Sequence, residues 1–312
     1  MRMNARFGLS RRGVLGCLAA GLLGLAGGPV HAESKRVLVL LSDASERSIA
    51  ISNAFKERLQ GGLVMTYDLG QQADAGAFIA DNIRGMGISF VFAVGDLAAR
   101  AASREFATIP IIHAEVVDPG VLVSRPGVEA VASWPDPAAT LQRYGKVVRP
   151  LNSVGLLRTP RTTRQVDAVL AAGKATGVKV VTRPARSAAD LENAVAGLLE
   201  ETDVVWLLPD PVVITPSGLA RILHKAHIEQ RIVATWSPVH FEGAQPAALA
   251  VTTGADGVGI AAAGRVSELL AGNKDSEPVY APPRLHGHFA TLRRARVTVN
   301  KHVAAEFDQL VR

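Results

Sequence analysis

The sequence predicts an α/β protein with two doubly wound parallel-sheet lobes joined by a multi-strand hinge. Short apolar runs alternate with segments of helical periodicity along most of the chain, which is typical of βαβ units. The alternation breaks once, at 128–137, where two prolines and Trp134 separate two arrays of similar size. The run Asp203–Leu208 then meets Pro-Asp-Pro, as expected of a strand that is buried on both faces and ends in a loop.

Each array contributes a series of apolar runs that predict strands. Those of the first array lie at 36–41, 62–67, 88–94 and 109–113, and those of the second lie at 153–157, 179–182, 204–208 and 231–235. After them come a strand at 247–252, a helix at 258–270, a proline-rich extended segment, a last strand at 296–300 and a terminal helix at 301–312. We assign 33–132 and 247–278 to the N-terminal lobe, and 133–246 and 279–312 to the C-terminal lobe.

The first 32 residues have the pattern of an export signal. They contain four arginines, no acidic residue, an apolar run at 14–26 and the small-residue site Val30-His31-Ala32. This pattern predicts a signal peptide that is cleaved after Ala32 and a mature protein in the periplasm. The stretch 10–15 resembles a twin-arginine motif but has Val14 and Gly16 where Phe and Lys are usual, so both export routes remain open.

Cleavage changes the composition on which functional classes depend. The signal contains Cys17, the single cysteine, so the mature chain has no disulfide or thiol chemistry. Loss of its four arginines lowers the formal net charge from +6 to +2. This small charge and an aromatic content of 5 % do not favour nucleic-acid binding. No later apolar stretch reaches the roughly 18 residues of a membrane span, so we expect a mature protein that is not membrane-embedded.

The order and spacing of several short pieces resemble a known family. The pieces are Ser42-Asp43, Val94-Gly95-Asp96, Ile109-Pro110-Ile111, Val117-Asp118-Pro119, the runs 153–157 and 203–210, 232–237 with Phe241 and Gly243-Ala244, Leu249-Ala250, the helix 259–270 with Gly272, and 297–300. Together they resemble the type I periplasmic solute-binding proteins of ABC importers. The resemblance implies two lobes with three crossings, a small-molecule ligand, an ABC permease partner in the inner membrane and a monomeric protein.

Two departures from the family pattern bear on the ligand. His113-Ala114-Glu115-Val116-Val117 stands where the family commonly has Phe-Thr-Ala-Val-Thr, so two hydroxyls are missing and a carboxylate is added. Arg158-Thr159-Pro160 stands where Asn-Pro is usual. The ligand therefore need not resemble an amino acid, and a relative that serves no transporter also remains open.

Ligands of open α/β sheets bind beyond the carboxyl ends of the strands, so the loops at these ends supply the candidate site. The candidate ligand-binding residues are Ser42, Asp43, Gly95, Asp96, Asp118, Arg158, Thr159, Asp210, Trp236 and Ser237. Helix N-termini beside Ser42, Gly95 and Thr159, together with Arg158, suit a carboxylate or phosphate. Asp96 and Asp210 suit an amine, and Trp236 suits a flat or apolar body.

Each candidate also has a structural interpretation. Asp43 and Asp96 suit helix caps, and Asp118 and Asp210 occur in ordinary turn dipeptides. Arg158 could lie on the surface, with Arg161 and Arg164 as solvated neighbours. Trp206 lies inside a strand and is expected in the core.

Metal, cofactor and catalytic motifs are incomplete. The pairs His224/His227 and His286/His288 lack the further ligands of a zinc site. The glycine-rich stretch 254–259 lacks the dinucleotide register, and Ser217 has no nucleophile-elbow flank. We therefore predict no metal, no cofactor and no enzyme. A transport receptor is the main prediction, with a ligand sensor that serves a membrane signalling partner, or an exported cofactor-binding protein, as alternatives.

Overall fold

Two mostly parallel β-sheets with flanking helices make up the described part of the chain. The computed structural model describes residues 35–59, 62–116, 127–210, 213–273 and 279–312. The predicted export signal at 1–32 and the predicted site residue Asp118 lie outside the described residues. Residues 35–312 belong to one compact unit.

The elements follow one another in βα alternation. The strands are β1 (Arg36–Leu41), β2 (Leu63–Asp68), β3 (Ile88–Val94), β4 (Ile111–Ala114), β5 (Val128–Ala132), β6 (Ser153–Arg158), β7 (Lys179–Pro184), β8 (Val204–Trp206), β9 (Ile232–Thr235), β10 (Leu249–Thr253), β11 (Val279–Tyr280), β12 (Pro283–His288) and β13 (Gln309–Val311). The helices are α1 (Glu46–Arg58), α2 (Ala75–Asn82), α3 (Asp96–Glu105), α4 (Pro137–Val147), α5 (Thr163–Thr176), α6 (Leu191–Glu201), α7 (Pro216–Ile228), α8 (Ala255–Leu270), α9 (Phe289–Arg294) and α10 (Lys301–Ala304).

The strand orders confirm the predicted fold class. The first sheet has the order β11-β5-β4-β3-β1-β2, and all of its pairs are parallel. The second sheet has the order β13-β12-β10-β9-β8-β6-β7 and is parallel except for the β10–β12 pair. In each sheet the chain winds first to one side and then to the other, so the carboxyl ends of the central strands share one edge.

Local sequence signals explain where the helices begin and end. Ser45 caps α1 by accepting a hydrogen bond from the N–H of Ser48 at 3.3 Å. Asp136 caps α4 in the same way through the N–H of Ala139 at 2.8 Å, and a proline occupies the first position of that helix. Gly177 ends α5 in the left-handed conformation, with φ of 76°.

Within the described residues, the chain passes between the sheets three times. It passes from β5 into α4, from β10 into α8, and from β11 into β12. Helix α8 returns to the first sheet and packs on α1, where a Cβ at Gly259 would overlap the carbonyl oxygen of Ile51. The three crossings form the multi-strand hinge that the sequence predicts.

The second and third crossings each lie one strand later in the chain than the sequence predicts. The sequence placed 247–278 in the N-terminal lobe and 279–312 in the C-terminal lobe, but β10 lies in the second sheet and β11 lies in the first. The apolar runs of these strands show that the strands are buried. They do not show which sheet buries them.

The C-terminal prediction is wrong in its last elements. Residues 296–300 form no strand, and the segment 301–312 contains the short helix α10 and then β13 instead of one long helix. Val297 and Val299 pack against the second-sheet core without joining a ladder, which accounts for their apolar pattern. The strand that precedes them is β12. Buried and more exposed residues alternate along it, but two of the six residues are histidines, so the sequence shows no apolar run there.

A buried ion pair fixes α8 to the first sheet. Arg265 is 5 % exposed, and its Nε and Nη2 donate to the two carboxylate oxygens of Glu129 on β5 at 2.5 and 2.9 Å. Glu268, one turn further along α8, accepts from Nη1 at 3.0 Å. The hydrogen bonds that Glu129 accepts raise the pKa of Arg265 above its ordinary value.

Replacing Arg265 with methionine should therefore destabilise the protein. The change leaves the Glu129 carboxylate unpaired and mostly buried, and breaking such a pair typically costs about 3–5 kcal/mol. Arg284→Met is the matched control, since Arg284 and Asp256 form a largely exposed pair that should contribute less than about 1 kcal/mol. Urea denaturation of both variants measures the difference, and equal losses would contradict this role of Glu129.

His113 on β4 should make stability depend on pH. Burial lowers its pKa to about 4 in the folded protein, whereas an unfolded histidine titrates near 6.5. The unfolded state thus binds the proton more readily, and the free energy of unfolding should fall by about 3 kcal/mol as the pH decreases from about 6.5 to about 4. His113→Gln should reduce the slope of stability against pH in that window. Identical slopes for wild type and variant would contradict the assignment.

Candidate functional site

A cavity that we call the inner cavity lies where the hinge meets the carboxyl ends of the second-sheet strands. It has a volume of 270 Å³. Its lining comprises Arg47 of α1, the crossing segment 133–135, the segment 206–209 after β8, Trp236 after β9, and 251–253 at the end of β10. Helix α1 of the first lobe, the hinge and the second sheet thus contribute to one cavity.

A second and larger space, the outer cavity, adjoins the first. It has a volume of 1190 Å³ and is lined by His113, by 128–134 of β5 and the first crossing, by Tyr280 and by residues of the segment 160–168 that opens α5. Ser133 and Trp134 line both cavities, so the two spaces meet at the first crossing. The ring of Trp134 packs edge-on against Tyr280, with ring centroids 5.3 Å apart.

Arg47 supplies the charge of the inner cavity, and Glu115 balances it. Nε and Nη2 of Arg47 donate to the two oxygens of Glu115 at 2.8 and 2.9 Å, and these bonds raise the pKa of Arg47. Nη1 also donates to the carbonyl oxygen of Thr253 at 3.2 Å, which ties α1 to the end of β10. Glu115 follows β4 in the left-handed conformation, with φ of 57°, an uncommon geometry for a residue other than glycine.

The predicted residues of the first sheet take part in helix capping. The hydroxyl of Ser42 accepts from the N–H of Ala98 in α3 at 2.9 Å. Gly95 has φ of 89°, and a Cβ there would lie 2.5 Å from the Ser42 hydroxyl, so the close approach requires glycine. Asp43 accepts from the N–H of Ser45 and the hydroxyl of Ser48, and hydrogen bonding to Ser45 is the main cause of its lowered pKa. Asp96 opens α3. A ligand role for these residues stays a prediction.

Two predicted residues of the second sheet contact each other. The hydroxyl of Thr159, after β6, donates to Oδ2 of Asp210, after β8, at 2.5 Å. The N–H of Val213 donates to Oδ1 of Asp210 at 3.2 Å. Thr159 is 2 % exposed and Asp210 is 1 % exposed. The pair therefore holds two strand-end loops together behind the wall of the inner cavity, to which Pro209 belongs.

The other predicted residues have separate positions. Trp236 lines the inner cavity and packs edge-on against His240, with ring centroids 4.8 Å apart. Ser237 caps the short 3₁₀ helix Pro238–Phe241 through the N–H of Val239 at 3.3 Å. Arg158 donates to Asp167 at 2.7 Å, and neither of these residues lines the inner or outer cavity.

Sequence reasoning missed several residues that line the cavities. They are Arg47, Trp134, Arg161, Arg164 and Tyr280. The position of Trp134 carried a usable signal, because it lies two residues after β5, much as Trp236 directly follows β9. Arg47 carried none, since its partners Glu115 and Thr253 are distant in the sequence.

The described ranges contain neither a metal-binding cluster nor a membrane-spanning helix. No group of three or more histidine, cysteine or acidic side chains in these ranges is arranged to hold a metal ion. Among the same residues, no helix combines the length and apolarity needed to cross a bilayer.

Comparison with known proteins gives a result at the level of the fold. No protein-family model matches the chain, and no curated protein sequence matches it. The ligand-free, open structure of a substrate-binding protein with adhesive properties from Clostridium difficile is similar, with 15 % identity, coverage of 89 % of this chain and 99 % of that one, and a TM-score of 0.60. A mutant XylFII–LytSN complex contains a chain with 11 % identity, coverage of 80 % and 97 %, and a TM-score of 0.53.

These sequence identities are too low to assign a function, and the structural similarity shows only the fold. Both matched structures cover at least four fifths of this chain and nearly all of their own, so the likeness extends over both sheets. It agrees with the two parallel-dominated sheets described above and confirms the fold that the sequence resemblance implies. The chain therefore has the two-lobed fold of the type I periplasmic substrate-binding proteins.

Proposed function

We propose that this protein captures a small ligand between its two lobes in the periplasm and delivers it to an ABC permease in the inner membrane. The observation that carries the proposal is the inner cavity. It lies at the hinge, beyond the carboxyl ends of β8 and β9, where open α/β sheets bind their ligands. Small-molecule sites are concave and largely apolar with a few polar groups, and this lining fits that description.

The lining of the inner cavity favours a flat and mostly apolar group. Trp134 and Trp236 provide indole surfaces, and the segment 206–209 adds leucine and proline. The Arg47 guanidinium is already bonded to Glu115, so an acidic group placed here would have to compete with that carboxylate. The volume of 270 Å³ accommodates one ring-sized group, and the rest of a longer ligand would extend past Trp134 into the outer cavity.

Capture follows from an equilibrium between open and closed arrangements of the lobes. A ligand that contacts both lobes binds the closed arrangement more tightly and shifts the population towards it. The hinge consists of the three crossings. Arg47, which reaches from α1 to Thr253, is positioned to respond to their movement.

A ligand sensor would use the same cleft with a different docking partner. XylFII, one of the proteins of similar fold, occurs in a complex with LytSN. Permease and ATPase genes beside this gene would support transport, whereas a neighbouring sensor-kinase gene would support the sensor.

Native mass spectrometry of protein purified from its own periplasm, followed by a thermal-shift screen of small metabolites, tests the proposed function. We expect a bound small molecule, or one metabolite whose increase of the melting temperature grows with its concentration. Failure of both measurements would contradict a solute-binding function.

Trp236→Ala should weaken binding of the ligand found in that screen by roughly tenfold, because the loss of an aromatic contact is worth about 1 kcal/mol beyond its buried area. Isothermal titration calorimetry measures the change. Phe78→Ala is the matched control, since Phe78 lies on α2, is 71 % exposed and lines neither cavity. Equal affinities for the Trp236 variant and the control would place the ligand elsewhere.

Asp210→Ala should reduce stability rather than act on the ligand directly. It removes the acceptor for the Thr159 hydroxyl and the Val213 N–H, and buried donors left unpaired cost about 1–3 kcal/mol each. Asp210→Asn keeps one carbonyl acceptor and should lose less. Urea denaturation compares the two variants, and an unchanged free energy of unfolding for Asp210→Ala would refute this supporting role.

A further inference from the structure

The first turn of α5 forms one wall of the outer cavity and presents free backbone donors. Thr162 precedes the helix, but its hydroxyl donates to the carbonyl oxygen of Leu157 and accepts from the N–H of Thr159, so its side chain does not cap α5. In the described part of the chain, nothing accepts hydrogen bonds from the N–H groups of Thr163 and Arg164. These donors lie at the positive end of a 14-residue helix.

The charges on the same wall are cationic and uncompensated. Arg161 and Arg164 line the outer cavity, and neither forms an ion pair with a carboxylate of the described residues. Glu129 also lines the cavity, but Arg265 binds both of its oxygens. An anion entering the cavity would therefore meet two available guanidinium groups and one neutralised carboxylate.

The opposite wall contains a buried polar side chain without a partner. His113 lines the outer cavity and is 9 % exposed, and its Nδ1 has no hydrogen-bond partner among the described residues. Burial keeps the imidazole neutral at physiological pH, so one ring nitrogen can donate a hydrogen bond and the other can accept one. A buried polar group of this kind costs free energy until a ligand or water satisfies it.

We propose that the outer cavity is an anion subsite in which the first turn of α5, together with Arg161 and Arg164, binds a carboxylate or phosphate group of the ligand. This inference rests on the proposed solute-binding function and narrows the ligand class. The ligand is an acid whose flat group lies in the inner cavity beside Trp134 and whose acidic group reaches α5. Arg47 and Arg158 are not the anion-binding arginines, because Glu115 and Asp167 already bind them.

Three phenyl probes test the subsite. Phenyl phosphate and phenylmalonate each add a dianionic group to the same ring, and phenol adds none. Calorimetry on the mature protein should give a clearly higher affinity for the dianions than for phenol, and this difference should shrink as salt is added. The relative affinity of the two dianions shows whether a phosphate or a dicarboxylate is the better fit.

The double variant Arg161→Gln/Arg164→Gln separates the subsite from the rest of the cleft. The variant should bind both dianions about 100-fold more weakly, since a hydrogen bond to a charged group contributes roughly tenfold in affinity for each arginine. Its affinity for phenol should change by less than about twofold. A charge-matched control, Arg186→Gln/Lys174→Gln, removes two cations that line neither cavity and should leave all three affinities within about twofold. Melting temperatures of both double variants verify folding.

Several results would overturn the proposal. The first is that the wild type binds the dianions no more tightly than phenol. The second is that the Arg161/Arg164 variant loses as much affinity for phenol as for the dianions. The third is that this variant binds the dianions with unchanged affinity. Failure of all three probes to bind would also overturn it. The metabolite screen decides the proposed function separately: a ligand without an acidic group would support solute binding and refute the anion subsite.

Discussion

The antiparallel pairing of β10 with β12 is the interaction on which the arrangement of the hinge depends. Five registered pairs run from Leu249 opposite Gly287 to Thr253 opposite Pro283. Between Thr253 and Pro283 the chain visits the first sheet as α8 and β11. Because the strand before this excursion is hydrogen-bonded to the strand after it, the second and third crossings emerge side by side. Trp134 of the first crossing packs on Tyr280 of the third and brings all three together.

This clustering of the crossings explains why the candidate site lies where it does. Strand ends supply the walls of the inner cavity, and the hinge supplies Trp134, so a ligand bound there would touch a segment that connects the two lobes. The loops that form the walls are held by buried polar contacts, of which Thr159 with Asp210 is the clearest. Under the proposed function, loops held in this way would let binding free energy act on the lobe equilibrium instead of being lost in ordering the loops.

The sequence was informative where burial alone determines structure. The βα alternation, the presence of β8 and the core position of Trp206, which is 2 % exposed and packs on Tyr144, all follow from apolar patterning, although β8 ends two residues earlier than the predicted strand at 204–208. Strand β12 escaped prediction because its two histidines and Arg284 interrupt the apolar pattern. The partner of a polar side chain is set by tertiary geometry, which is why Asp43 was recognisable as a candidate helix cap, whereas the contact of Ser42 with the distant helix α3 was not.

Charge pairing was the least predictable part of the site. Arg158 looked like an anion-binding group, yet Asp167 on the facing turn of α5 binds it. Arg161 and Arg164 looked like ordinary solvated neighbours, yet they line the outer cavity. Local spacing shows that several arginines surround one helix start, but only the rotamers and the nearby carboxylates decide which of them remain available to a ligand.

The close packing of α1 against α8 has a consequence for how the chain is made. Ile51 and Phe55 of α1 share a cluster with Val258, Ala262 and Val266 of α8, at a contact that requires Gly259. During synthesis, α1 leaves the ribosome long before α8, with most of the second lobe translated in between. The lobe that begins first is thus completed late, and until then the apolar face of α1 lacks its native partner.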